Sequence, residues 1–137
     1  MNNFLVPRNI MLAGIVLVAL IGLIHLVEAP EHFEVVTYVG LLFLVNAAAS
    51  ALSGYGIYRG AEWGWALGAL VAIGAFVAYI VSRAVGLPGV PGLKQEEFFE
   101  PLGIVSLIVE GLFVVLYATR ISRRTQSSRT VRNRSTA

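Results

Sequence analysis

The amino-acid sequence predicts an all-α integral membrane protein: a four-helix bundle with both termini in the cytoplasm. Three observations predict it. First, 57% of the 137 residues are hydrophobic and only 13% are charged, where soluble domains carry about a quarter charged residues. One small soluble core could not hide that much apolar surface. Second, the apolar residues gather into four blocks, Asn9–Val27, Val35–Tyr58, Trp63–Val85 and Leu102–Ile121. Each is close to the ~20 residues that cross a hydrocarbon layer of about 30 Å as a helix. Backbone amides in lipid must be satisfied within their own segment, which selects helices; barrel strands would be shorter and alternating. Third, charge is divided by connection. The N-terminus, the second connection and the tail together carry +7, whereas the first and third connections carry −4. Arginine and lysine hold short loops in the cytoplasm, so the two acidic connections are expected outside. The division of the chain is then a transmembrane domain over 1–121 and a basic cytoplasmic tail over 122–137.

The first block follows Arg8. Its apolar run is long for a signal peptide, and its nearest small-x-small site, Val27-Glu28-Ala29, is followed by Pro30, so it reads as a retained span. Gly14, Val18, Ile21 and His25 share one of its faces. Pro30 suits the first turn of a helix, where Glu31 and Glu34 would meet the positive end of the dipole. The first helix is therefore expected to end near Glu28 or Ala29, and the second to begin near Pro30. The second span gathers Asn46, Ser50 and Ser53 on one face. Gly60–Glu62 is so short a connection that the second and third spans must be antiparallel neighbours, with Trp63 and Trp65 expected in an interfacial belt.

The third span offers Gly68, Ala72, Ala75, Tyr79 and Ser82 as a seam, and Gly64 with Gly68 as a small-xxx-small pair. The fourth offers Gly103, Ser106, Glu110 and Tyr117. Small and polar residues are what lipid-embedded helices turn toward each other. Between these spans, "GLPGVPGLKQEEFFEP" is stiffened by Pro88, Pro91 and Pro101, with Phe98 and Phe99 expected to dip into the membrane surface or cap the bundle mouth. The tail, "RISRRTQSSRTVRNRSTA", has the composition of a disordered segment. Placed just past a membrane helix, it suits anionic lipid better than nucleic acid. The two halves share no polar residues at matching positions, so no transporter-like repeat is read.

With no cysteine, disulfides, thiolate metal sites and cysteine nucleophiles are excluded. No nucleophile–base pair or cofactor motif is visible, which disfavours an enzyme. Two constellations carry chemistry. In "IHLVEAPEHFE", His25, Glu28 and His32 are expected to converge across the corner between the first two helices. Two imidazoles and a carboxylate suit a zinc, copper or iron ion; the same residues also make an ordinary solvated corner. The second constellation is deeper. Glu110 lies roughly 13 Å from the outer end of its span at helical rise. A carboxyl there must face the bundle and be partnered or protonated. Asn46 is at similar depth, Ser106 one turn nearer the surface, and Tyr79 and Arg83 descend from the outer end of the third span on one face. Arg83 stands on the side where arginine is disfavoured and calls for a carboxylate, Glu28 or Glu110. Arg83, Glu110, Asn46, Tyr79 and Ser106 thus form a candidate ligand-binding funnel, or else a set of hydrogen-bonded ties between helices.

The pairing of "HLVEAPEHF" with "SRAVGLPG" resembles an uncharacterised family of small four-span bacterial membrane proteins, which implies a bacterial plasma (inner) membrane. The resemblance covers the chain from about His25 to Glu110. It implies that His25, Glu28, Pro30, His32, Arg83 and Pro88 are family positions and implies no activity. Two classes of function follow: a protein whose outward pocket binds a metal ion or small polar ligand, and a non-catalytic subunit that docks in a larger membrane complex or homo-oligomer. A proton-coupled oligomeric transporter is a third class, resting on the one buried acid.

Overall fold

The computed structural model describes residues 6–89 and 100–135, and it is built from four helices: α1 (Arg8–Val35), α2 (Thr37–Tyr58), α3 (Glu62–Ala84) and α4 (Pro101–Ser135). All four contain a stretch long and apolar enough to cross a membrane; the chain is an all-α bundle and an integral membrane protein. Neighbours pack in a ring, α1 on α2, α2 on α3, α3 on α4 and α4 back on α1. The start of α1, the α2–α3 turn and Arg120 of α4 lie at one end, called here the basic end. The α1–α2 corner, the end of α3 and the start of α4 lie at the other, the acidic end.

Burial is inverted relative to a soluble protein. Large apolar side chains such as Leu20, Leu41, Leu70, Ile108 and Leu112 point outward, and the buried stripes are the small and polar seams. Gly14, Val18, Ile21 and His25 are buried on α1, Ser50 and Ser53 on α2, Gly68, Ala72 and Ser82 on α3, and Gly103, Ser106 and Glu110 on α4. With lipid as the solvent, exposing leucine costs nothing, so close contact and polar satisfaction decide which face turns in.

The first corner is not where the proline suggested. Pro30 lies inside α1, and the chain turns instead at Val36, in extended conformation, whose carbonyl accepts the first α2 N–H groups from Val39 and Gly40. A proline within a helix removes one hydrogen bond, a defect that membrane helices tolerate. Packing past the proline holds the corner: the Phe33 ring lies directly on Gly40, in the space a β-carbon there would need. At 28 residues, α1 is about 42 Å long at helical rise, so its last turns project beyond a ~30 Å hydrocarbon layer.

The second corner is a tight glycine stop. Gly60 has φ 71°, Ala61 N–H donates to the Gly56 carbonyl and Gly60 N–H to that of Ile57, the paired bonds of a Schellman motif. Directly beside it, α2 and α3 touch backbone to backbone at Gly56 and Gly64. The Ser53 hydroxyl donates to the Gly64 carbonyl at 2.7 Å.

The core is centred toward the basic end, where Trp65 and Phe113 stack at 5.9 Å between ring centres among Val18, Ile21, Ile57, Ala69, Ala72 and Val109. Trp65 is therefore not an interfacial residue: it is 1% exposed, against 48% for Trp63. Arg120 of α4 is buried beside it, its guanidinium 4.8 Å from the ring and bonded through both terminal nitrogens to Glu62, which Arg124 also holds at 2.6 Å. Past this clamp α4 continues helically to Ser135, through the segment whose composition suggested disorder; arginine is itself a good helix former. Phe98, Phe99 and the other residues of 90–99 lie outside the described residues.

Candidate functional site

Between α2 and α3 in the acidic half, with α1 and α4 behind them, lies a cavity of about 340 Å³. It exists because the facing side chains are small there. Ala49 on α2 and Gly74, Ala75 and Ala78 on α3 line it, and a β-carbon placed on Gly74 would meet nothing within 4 Å. His25, Glu28, His32, Asn46, Tyr79, Arg83, Ser106 and Glu110 all border this one space. They arrive on four separate helices.

Glu110 forms the floor. It is 2% exposed; one carboxyl oxygen accepts the Ser106 hydroxyl at 2.7 Å, and the other, Oε2, is buried with no hydrogen-bond partner. The Ser106 bond is the four-residue pairing of one helix face. Asn46 likewise bonds within its own helix, accepting the Ser50 hydroxyl at 3.3 Å. These two pairs satisfy each helix locally, so neither is a tie between helices. A buried carboxyl oxygen without a donor costs about 1–3 kcal/mol, and the residue that carries it borders the cavity.

The rim is built around Arg83, 8% exposed at the end of α3. Its Nη2 donates to Glu100 at 3.1 Å and its guanidinium lies 5.0 Å from the Tyr79 ring. The expected carboxylates were Glu28 or Glu110; a hydrogen-bonded ion pair is made with Glu100, just before the first turn of α4. Tyr79 in turn rests on Gly103, where a β-carbon would fall 2.6 Å from the ring. The small residue on α4 thereby sets the depth of the tyrosine. At the same end of the bundle Tyr38 donates to the Pro88 carbonyl at 2.7 Å.

His25, Glu28 and His32 are not set across a corner. With α1 continuous through Pro30, they occupy positions three and seven apart on one helix and share its inner face. His25 Nδ1–H donates to the Ile21 carbonyl and His32 Nδ1–H to that of Glu28, both at 2.9 Å. A carbonyl only accepts, so each neutral ring keeps its lone pair on Nε2. Phe43 of α2 lies against both rings, stacked on His32 at 3.9 Å and tilted to His25 at 5.0 Å. This aromatic spacer and the helical rise hold the imidazoles apart. Among the described residues, no three His, Asp or Glu side chains come close enough together to hold a metal ion.

Glu28 stands within charge–charge reach of Glu100, His32 and Arg83, and Glu110 within reach of Glu28. Three carboxyl groups and one guanidinium thus border the cavity, so it offers an excess of acceptors to whatever enters. Phe43 and Glu100 are among the contributors that sequence reasoning did not assign to the site. Phe43 reads locally as another lipid-facing apolar residue. Glu100 was visible as an acid next to Pro101, but nothing local links it to an arginine 17 residues earlier. Comparison with family models, curated proteins and solved structures finds no match for the chain.

Proposed function

We propose that this protein is a small polytopic binding protein of the bacterial plasma membrane, whose outward-facing cavity holds a small polar ligand bearing a positive charge. The observation that carries the reading is Glu110: a carboxyl group almost fully removed from solvent, one oxygen without a donor, at the floor of a 340 Å³ space. Ionisable groups at membrane depth are functional candidates because their burial must be compensated. The acidic surplus of the lining selects a cation. An organic ammonium suits this set better than a bare metal ion, because the donors line the walls of the space without meeting at one point. The orientation rests on the charge of the connections. A fluorescent protein fused after Ala137 is expected to be bright in cells, and alkaline phosphatase fused there to stay inactive; the opposite pair of results would place the acidic end, and the cavity in that half, toward the cytoplasm.

Benzylamine, small and water-soluble, is a direct probe. A ligand present at a hundred times its Kd raises stability by about 2.7 kcal/mol, so benzylamine is expected to raise the melting temperature of the detergent-purified protein in a saturable way. Glu110→Gln, which keeps shape and removes charge, is expected to abolish the shift while leaving the unliganded protein folded. A melting temperature indifferent to benzylamine in the native chain, or an equal shift in Glu110→Gln, would sink the reading.

A further inference from the structure

Resting on that reading, we infer that the cavity is entered sideways from the lipid, between α2 and α3, and that its ligand is an amphiphile: an organic ammonium carried on an apolar body. The mouth of the cavity points to this. Val45 on α2 and Leu70 on α3 both line the space, yet are 64% and 70% exposed. Val45 is eight residues from the acidic-end start of α2, about 12 Å at helical rise, and Leu70 is fourteen residues from the acidic-end finish of α3, about 21 Å. Side chains exposed at those depths meet acyl chains, since the hydrocarbon layer spans about 30 Å. The opening therefore faces the bilayer interior.

At the water-facing end the lining is polar and its charged groups are paired. Arg83 and Glu100 form an ion pair, Tyr79 lies beneath the guanidinium, and Tyr38 is bonded to Pro88. The two kinds of lining are segregated accordingly. Apolar Leu42, Val45 and Leu70 form the mouth, while Glu110, with its unpartnered oxygen, lies behind them on α4. A molecule that fits both has a hydrogen-bond-donating cationic head on the carboxyl group and an apolar portion lying out between the helices, continuous with the lipid tails. Metal ions and hydrophilic amines satisfy only the first half of this site.

The test uses the full chain in phosphatidylcholine nanodiscs. Because it has no cysteine, Ala75→Cys accepts a single nitroxide in the cavity wall. Collision with oxygen, which concentrates in lipid, is expected to exceed collision with a water-soluble nickel chelate by severalfold. Dodecylamine is expected to lower the oxygen collision rate at least twofold, and Glu110→Gln to remove that protection. Should Glu110→Gln not fold, Leu70→Trp, which fills the mouth from a lipid-exposed position, is expected to remove protection by dodecylamine, and full protection in that variant overturns the lateral entry. Protection in discs containing phosphatidylethanolamine without added amine would identify a bilayer lipid's own ammonium as the source of the head group; protection by dodecylamine alone would identify a free amphiphile. Nickel collision exceeding oxygen collision overturns the lateral entry. So does a benzylamine shift that depends on Glu110 with no protection by either amphiphile, and that outcome leaves the pocket reading standing. If neither amine binds, both readings fall together.

Discussion

Gly64→Leu is expected to cost about 3 kcal/mol or more, at or beyond the upper end of what overpacking usually costs, and to leave little folded protein. A β-carbon on Gly64 would fall 2.5 Å from the Gly56 carbonyl carbon and the Ile57 nitrogen, and one on Gly56 would fall 2.7 Å from the Gly64 α-carbon. These neighbours are backbone atoms of a helix, so no rotamer change can make room. The two helices would have to separate, breaking the Ser53–Gly64 hydrogen bond and opening the tight turn at Gly60. Between membrane helices close backbone approach is a principal source of attraction, because lipid removes the hydrophobic contribution. Gly111→Leu is the matched control: a β-carbon there meets nothing within 4 Å, and leucine is the better helix former by several tenths of a kcal/mol. Unfolding in mixed micelles with increasing dodecyl sulfate, followed by circular dichroism, separates the two. Equal midpoints for Gly64→Leu and the native chain would show that the α2–α3 contact is not built as described.

Trp65→Ala is expected to cost about 3–5 kcal/mol, the range for removing a buried large aromatic. The indole ring joins three elements at once. It occupies the space above Gly14 of α1, stacks on Phe113 of α4 and lies under the Arg120 guanidinium. Removing it leaves a cavity and also frees Arg120 from one of the two interactions that hold a charge at a buried position. Trp65→Phe should recover part of the loss by keeping a ring against Phe113. Trp63→Ala, half exposed, should cost much less in the same dodecyl sulfate titration. A ranking with Trp63→Ala as the more damaging change would contradict the placement of the core.

Most of the architecture is legible from the sequence because lipid simplifies the problem. Spans announce themselves by length and apolarity, and the inward faces by their small and polar residues at helical spacing. The same logic brought Glu110, Asn46, Tyr79, Arg83 and Ser106 to one side of the bundle, and all five border the cavity. What failed was the inference that depended on where the first helix stops. Pro30 is equally at home in a first turn and, inside a membrane, within a helix; only the seating of Phe33 on Gly40 decides, and that contact crosses the corner. Moving the corner by six or seven residues turned an expected convergence of His25, Glu28 and His32 into a stripe along one helix.

Trp65 carried a signal that went unused. Residues two apart on a helix point about 200° from each other, so Trp63 and Trp65 cannot both look outward at one interface. Their pairing in sequence suggests a belt, but their spacing forbids it. The pairing of Arg83 with Glu100 had no local signal at all, since the two residues are 17 apart and stand at the ends of different helices.

The Glu62 clamp has a consequence for how α4 can vary. Arg120 and Arg124 fix the azimuth of that helix against α3, and Glu110 lies ten residues before Arg120 on the same uninterrupted rod. Substitutions between them leave this phase alone. A single inserted or deleted residue would, with the Glu62 clamp held, rotate the acid by about 100°, off its cavity and toward the lipid tails, and would carry Gly103 away from Tyr79 with it. Apart from Phe113, which the core holds, the stretch from Gly111 to Thr119 is thus freer in spelling than in length, a ruler whose count matters more than most of its letters.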